Sequence, residues 1–170
     1  MARIQTVPLD IPNEYYSAIG AVLAKWALLE WQVQNVIWSS IGIGPKEGRT
    51  LTIGMHSQTL TAILRNLPRK WITDASLKKE VIALADGMKA LVPSRNYLAH
   101  GIWAYDENDP KQKLHLQFMK EGKHRILPGS EPWEPQHLRL IAANIRVLNK
   151  AAHRINVRIQ NQRAGLQEQS

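Results

Sequence analysis

Apolar residues Ile19, Val22, Trp26, Leu29, Val33 and Val36 recur at steps of three and four. That period predicts an amphipathic helix from about Asn13 to Ser40, with Pro12-Asn13 as its start. The run IGIGPKEG (41–48) holds three glycines and a proline and is expected to break it. A second helix is expected from Thr50 to Leu67, imperfect because Gly54 lies inside it and ended by Pro68. Asp74 is a good N-cap for a third helix, which Leu77, Val81, Leu84, Met88 and Leu91 carry to Pro93. A proline there either kinks the helix or starts a fresh turn at Ser94. Gly101 stands just after His100, where a helix would take a left-handed C-cap.

Past Gly101 the pattern changes. IWAY (102–105), KLHLQFM (113–119) and KHRIL (123–127) read as short strands, separated by the turn-rich DENDP (106–110) and by Gly122. They predict a small antiparallel hairpin, with room for a third strand, inserted over about 102–127. Pro128, Gly129, Pro132 and Pro135 then form a stiff connection. A last helix is expected from about Pro135 to Gln162, with a polar, frayed tail after Arg163. Its apolar positions Leu138, Ile141, Ile145, Leu148, Ala152, Ile155 and Ile159 form a seam that needs a partner helix, in the same chain or across a dimer. The fold class is therefore all-α: one domain over residues 1–170, an antiparallel helical bundle with a small β-hairpin before the last helix.

The 170 residues are 44% apolar, in keeping with a packed globular chain rather than a disordered one. There is no cysteine, which excludes disulfide scaffolds, thiol catalysis and Cys-based zinc sites. No apolar run reaches the ~20 residues of a membrane span. The amino terminus, MARIQTVPLD, lacks the apolar stretch of a signal peptide, so a soluble cytoplasmic protein with no membrane partner is expected. Lys and Arg number 22 against 14 acids, a formal charge of +8. Such a balance favours a polyanion such as RNA, because cations placed against phosphates release condensed counterions. Part of that charge is ordered: Arg146, Lys150, Arg154 and Arg158 follow one another at i, i+4 on the last helix. A solvated helix face explains this stripe as well as an RNA-binding one does.

The sharpest chemical signal is the octapeptide SRNYLAHG (94–101). Arg49 to His56 and Arg146 to His153 also place a histidine a few residues after an arginine. Only Arg95 has a polar amide beside it, in Asn96, and a histidine, His100, just before a glycine. The segment resembles the Arg-polar-x-x-x-His motif of HEPN domains, all-helical dimeric proteins many of which are metal-independent ribonucleases. The surroundings are similar to that family too: a long opening helix containing Leu29-Glu30, the motif late in a later helix, and a closing helix. The resemblance covers most of the chain as architecture and about eight residues as sequence. It implies a homodimer whose two motifs face each other, with Arg95, Asn96 and His100 as catalytic residues. It also implies an antitoxin or other regulatory partner, and a setting in toxin–antitoxin or defence systems. The chain departs from HEPN toxins with nucleotidyltransferase antitoxins at Ile102, where those carry a tyrosine two residues after the histidine. Regulation by modifying such a tyrosine is therefore not expected.

The residue types suit that chemistry. Cleavage of RNA by its own 2′-hydroxyl needs a group to take that proton and another to protonate the departing 5′-oxygen, and imidazole can do either. A guanidinium holds the added phosphorane charge bidentately without losing a proton. No metal and no cofactor are then required. An Arg, an Asn and a His near a helix end can also simply satisfy terminal carbonyls and the dipole there.

Other residues are open to two readings. Glu30 borders the apolar stripe of the first helix and is expected to pair with Arg95 and orient it; a rim Glu facing water accounts for it equally. Six tryptophans stand against one phenylalanine. Most read as core or dimer contacts, with Trp103, three residues from His100, as the one to consider for base stacking. His115 and His124 are expected to face each other across the hairpin, but no third ligand stands at a recognisable spacing, so no metal site is assigned. Two function classes remain: a HEPN-type endoribonuclease, a hydrolase of RNA, or a non-catalytic HEPN-like module binding nucleic acid, nucleotide or a partner protein.

Overall fold

A computed structural model describes residues 4–5, 11–106, 114–120, 123–126 and 133–167, with side chains described over 11–103 and 133–165. The protein is mostly helical. Among the described residues the helices are α1 (Asn13–Ile41), α2 (Pro45–Thr52), α3 (Ser57–Lys70), α4 (Ala75–His100) and α5 (Pro135–Gln167). Four short strands, β1 (Ile4–Gln5), β2 (Ile102–Asp106), β3 (Leu114–Lys120) and β4 (Lys123–Ile126), pair antiparallel in that order. β1 carries no signal of its own in the sequence: two residues are too few for a period, and only the pairing of Ile4 with Asp106 and of Gln5 with Tyr105 makes it a strand.

The segment expected as one helix from Thr50 to Leu67 is two. Gly54 takes a left-handed conformation, φ +74°, and the chain breaks between Thr52 and Ser57. The preceding break is shorter than expected, because Pro45 starts α2 within IGIGPKEG, a position where its missing N–H leaves no bond unmade. Pro68 does not end α3, and Pro93 neither ends α4 nor opens a separate helix there; both stand inside continuous helices. Gly101 is not left-handed: its N–H still bonds to the Tyr97 carbonyl, and Ile102 begins β2 directly. A chain that leaves the helix straight into a strand has no need of the reversal a left-handed cap provides. The expected frayed tail is helical as far as Gln167.

The chain divides into two compact units. One comprises residues 1–24 and 93–143, the other residues 25–92 and 144–170. In the first, Tyr15, Ala18 and Val22 of α1, Leu98 of α4, and Leu138 and Ala142 of α5 are buried. In the second, buried Trp26, Leu29, Val33 and Val36 of α1 join Leu60 and Leu64 of α3, Leu77, Val81, Leu84 and Met88 of α4, and Ile145, Ala152, Ile155 and Ile159 of α5. The seam on α5 thus finds its partners in the same chain. Asn149 donates to the Lys25 carbonyl at 2.9 Å, and a Cβ built on Gly87 of α4 would lie 2.7 Å from Leu148 Cδ2. Bringing α4 that close to α5 is the use the fold makes of this glycine.

The expected turns around 106–110 and at Gly122, and most of the connection from Pro128 to Pro135, lie outside the described residues. The pairing of β3 with β4 is described, and it sets Met119 opposite His124. His115 and His124 are therefore four positions out of register, about 13 Å along the strand, and do not face each other as expected. No helix of the described residues is long and apolar enough to cross a membrane.

Candidate active site

The octapeptide forms the last turns of α4 and its exit, within the first unit. Leu98 is 5% exposed and pins this end of the helix to the core, leaving Arg95, Asn96 and Tyr97 half-buried and His100 exposed. Asn96 and His100 are four apart and share a helix face, while Arg95 stands about 100° round from Asn96. The structure joins two of the three directly: Arg95 Nη1 donates to Asn96 Oδ1 at 3.1 Å. Arg95 Nε is buried and has no hydrogen-bond partner among the described residues. A guanidinium N–H in that state can donate to an acceptor brought to it.

Just beyond, the chain enters β2, and Trp103 packs edge-on against Tyr15 from the first turn of α1. Their ring centroids lie 5.6 Å apart and the planes cross at 70°. The indole serves this contact, an edge-to-face pairing of the kind that holds elements together. The tie fixes where the backbone goes after His100.

Glu30 belongs to the second unit and finds its donor there. Ser57 Oγ, in the first turn of α3, donates to Glu30 Oε1 through a short hydrogen bond, and Trp26 Nε1 donates to Ser57 Oγ at 3.3 Å. Ser57 thus relays between a buried indole and a carboxylate at the edge of the core, and the expected orienting role of Glu30 gains no support from these contacts. The sequence signal for Ser57 was weak: a serine in the first turn of a helix is ordinary, and its two partners are 27 and 31 residues away.

The basic stripe of α5 divides in two. Arg158 Nη1 pairs with Glu80 Oε1, and its Nη2 reaches Asp74 Oδ2 at 3.5 Å. Arg154 Nη2 meets Glu80 Oε2 at 3.3 Å. These pairs tie α5 to the start of α4, so the lower half of the stripe is engaged within the fold. Asp74 also accepts the Leu77 N–H at 2.7 Å, the cap expected of it. That backbone bond, and after it the Arg158 charge, hold the Asp74 carboxyl below its ordinary value, against the opposing effect of burial. Arg146 and Lys150 are exposed and form no ion pair among the described residues. No group of three or more His, Asp or Glu placed to hold a metal occurs among the described residues either.

No family model, no curated protein and no solved structure matches the chain.

Proposed function

We propose that the protein is a metal-independent endoribonuclease of HEPN type, acting as a homodimer with a composite cleft. The single observation that supports this reading best is Arg95: its guanidinium is steadied by Asn96 while its buried Nε–H is left without an acceptor among the described residues. A phosphate oxygen is such an acceptor, and His100 stands exposed at the end of the same helix.

The reaction needs two histidines, one from each protomer. His100 takes the proton of the 2′-hydroxyl as that oxygen bonds to phosphorus. The P–O5′ bond breaks, and the partner's His100, entering as imidazolium, protonates the departing oxygen. The products are a 2′,3′-cyclic phosphate and a 5′-hydroxyl end. Arg95 holds the charge that gathers on the phosphorane oxygens between bond making and bond breaking. On this reading the chain is a single HEPN-like helical domain, with β2, β3 and β4 as the insertion before the closing helix, and an antitoxin or regulatory partner would act on the shared cleft.

A second reading is a non-catalytic HEPN-like module that binds nucleic acid, nucleotide or a partner protein. Arg146 and Lys150 favour it, since both are exposed with no acid paired to them among the described residues. The deciding experiment incubates purified protein with mixed cellular RNA in EDTA, wild type beside His100→Ala. Fragments with 2′,3′-cyclic phosphate ends from wild type alone are expected. Cleavage that persists unchanged in the variant would overturn the catalytic role of His100. Intact RNA in both lanes, from folded protein, would favour the binding module.

A further inference from the structure

The second unit carries a groove of about 630 Å³, away from the octapeptide in sequence and independent of the reading above. Its walls come from Ile37 and Ile41 of α1, Leu51 of α2, Met55 in the break between α2 and α3, and Ile63 and Leu67 on α3. The fold holds it open for a local reason. Gly42, at φ +79°, turns the chain out of α1, and α2 then lies on the Trp38 ring at Gly48, where a Cβ would stand 2.4 Å from the indole. α2 is thereby kept apart from α3 across the hollow. Leu51 and Trp71 of its lining remain exposed.

The polar groups of the lining narrow what could enter. The Thr52 hydroxyl donates to the Gly48 carbonyl and the Asn66 amide to the Ala62 carbonyl, both within their own helices, while Thr59 adds one exposed hydroxyl. Lys70 is the one charged residue of the lining; its Nζ lies 5.1 Å from the Trp71 ring centroid and meets no carboxylate among the described residues. Trp38 also lines the groove, and its Nε1–H is buried without an acceptor among the described residues. A mostly apolar trough of this size with one cation in its lining matches a ligand with a long apolar body and one anionic head.

We propose that this groove binds an amphiphilic monocarboxylate, a medium- to long-chain fatty acid in chemical class, with its chain along Ile37, Leu51 and Ile63 and its carboxylate beside Lys70. The test uses purified full-length protein with cis-parinaric acid as fluorescent probe and dodecanoate as competitor. Dodecanoate is expected to displace the probe. Ala62→Trp, at an exposed position on α3 that lines the groove, should fill it and weaken binding more than tenfold with the circular dichroism unchanged. Lys70→Gln should weaken dodecanoate by about two- to fivefold, the worth of one exposed ion pair, and leave dodecanol unaffected. Failure of dodecanoate to displace the probe below about 1 mM, or displacement equal in wild type and Ala62→Trp, would overturn the proposal. So would sedimentation showing a dimer that Ala62→Trp dissociates, because a second copy would then be the occupant.

Discussion

Arg95 donates through Nη1 to Asn96 Oδ1 at 3.1 Å while its Nε is buried without an acceptor among the described residues. The two residues are adjacent in sequence, so their bond holds the guanidinium to its own helix and satisfies one edge only. A buried polar group left in this state costs folding free energy.

Arg95→Met tests that balance. The substitution keeps an unbranched apolar stem and removes the unmatched donor. Stability to urea is expected to stay the same or rise by up to about 1 kcal/mol, while RNA cleavage falls at least a hundredfold. A loss of stability above about 1 kcal/mol would instead show that the arginine serves the fold.

Ser57 joins two groups that need it. Ser57→Ala leaves the Glu30 carboxylate without its hydroxyl donor and the Trp26 indole N–H without an acceptor. A loss of about 1–3 kcal/mol is expected in urea unfolding. Adding Glu30→Gln should recover part of it, since an amide at the same position is less costly to leave unpaired than a carboxylate. Equal stability of wild type and Ser57→Ala would show that water replaces the hydroxyl at no cost.

Asp74 sets an acid limit. Its folded carboxyl lies below the ordinary value of 3.8, so it binds its proton less readily in the folded than in the unfolded chain. The stabilisation is therefore complete above that ordinary value and is lost as pH falls through the lower, folded one. Asp74→Asn keeps an oxygen for the Leu77 N–H and removes the charge that faces Arg158. Melting curves should show wild type the more stable at neutral pH, with the difference closing below about pH 4. A difference that persists unchanged to pH 2.5 would assign it to the cap alone.

Much of the helical content was legible because it is local. The steps of three and four in α1 and α5, the Asp74 cap and the glycines around residue 42 each act within a turn or two of chain, where the period of the backbone and the steric limits on φ dominate. The same locality explains the errors. Gly54 read as a flaw in one helix because sequence cannot say which glycine takes a left-handed conformation, and Gly101 read as a cap because the partner of the strand that follows it, β3, lies more than ten residues away.

The candidate site divides along the same line. Arg95, Asn96 and His100 fall on one helical turn, so residue spacing alone put them together. The partners of Glu30, Arg154 and Arg158 could not be read that way. Each of these side chains had several donors or acceptors of suitable type in the sequence, and its choice depended on which helices pack side by side. Ser57 reached Glu30, and Glu80 reached both arginines, only once α1, α3, α4 and α5 were brought against one another. Local periodicity thus determined the helices and the motif. Packing decided which charges are engaged in the fold, that the α5 seam closes within the chain, and that a groove stands open beside Trp38, because each depends on contacts between residues far apart in sequence.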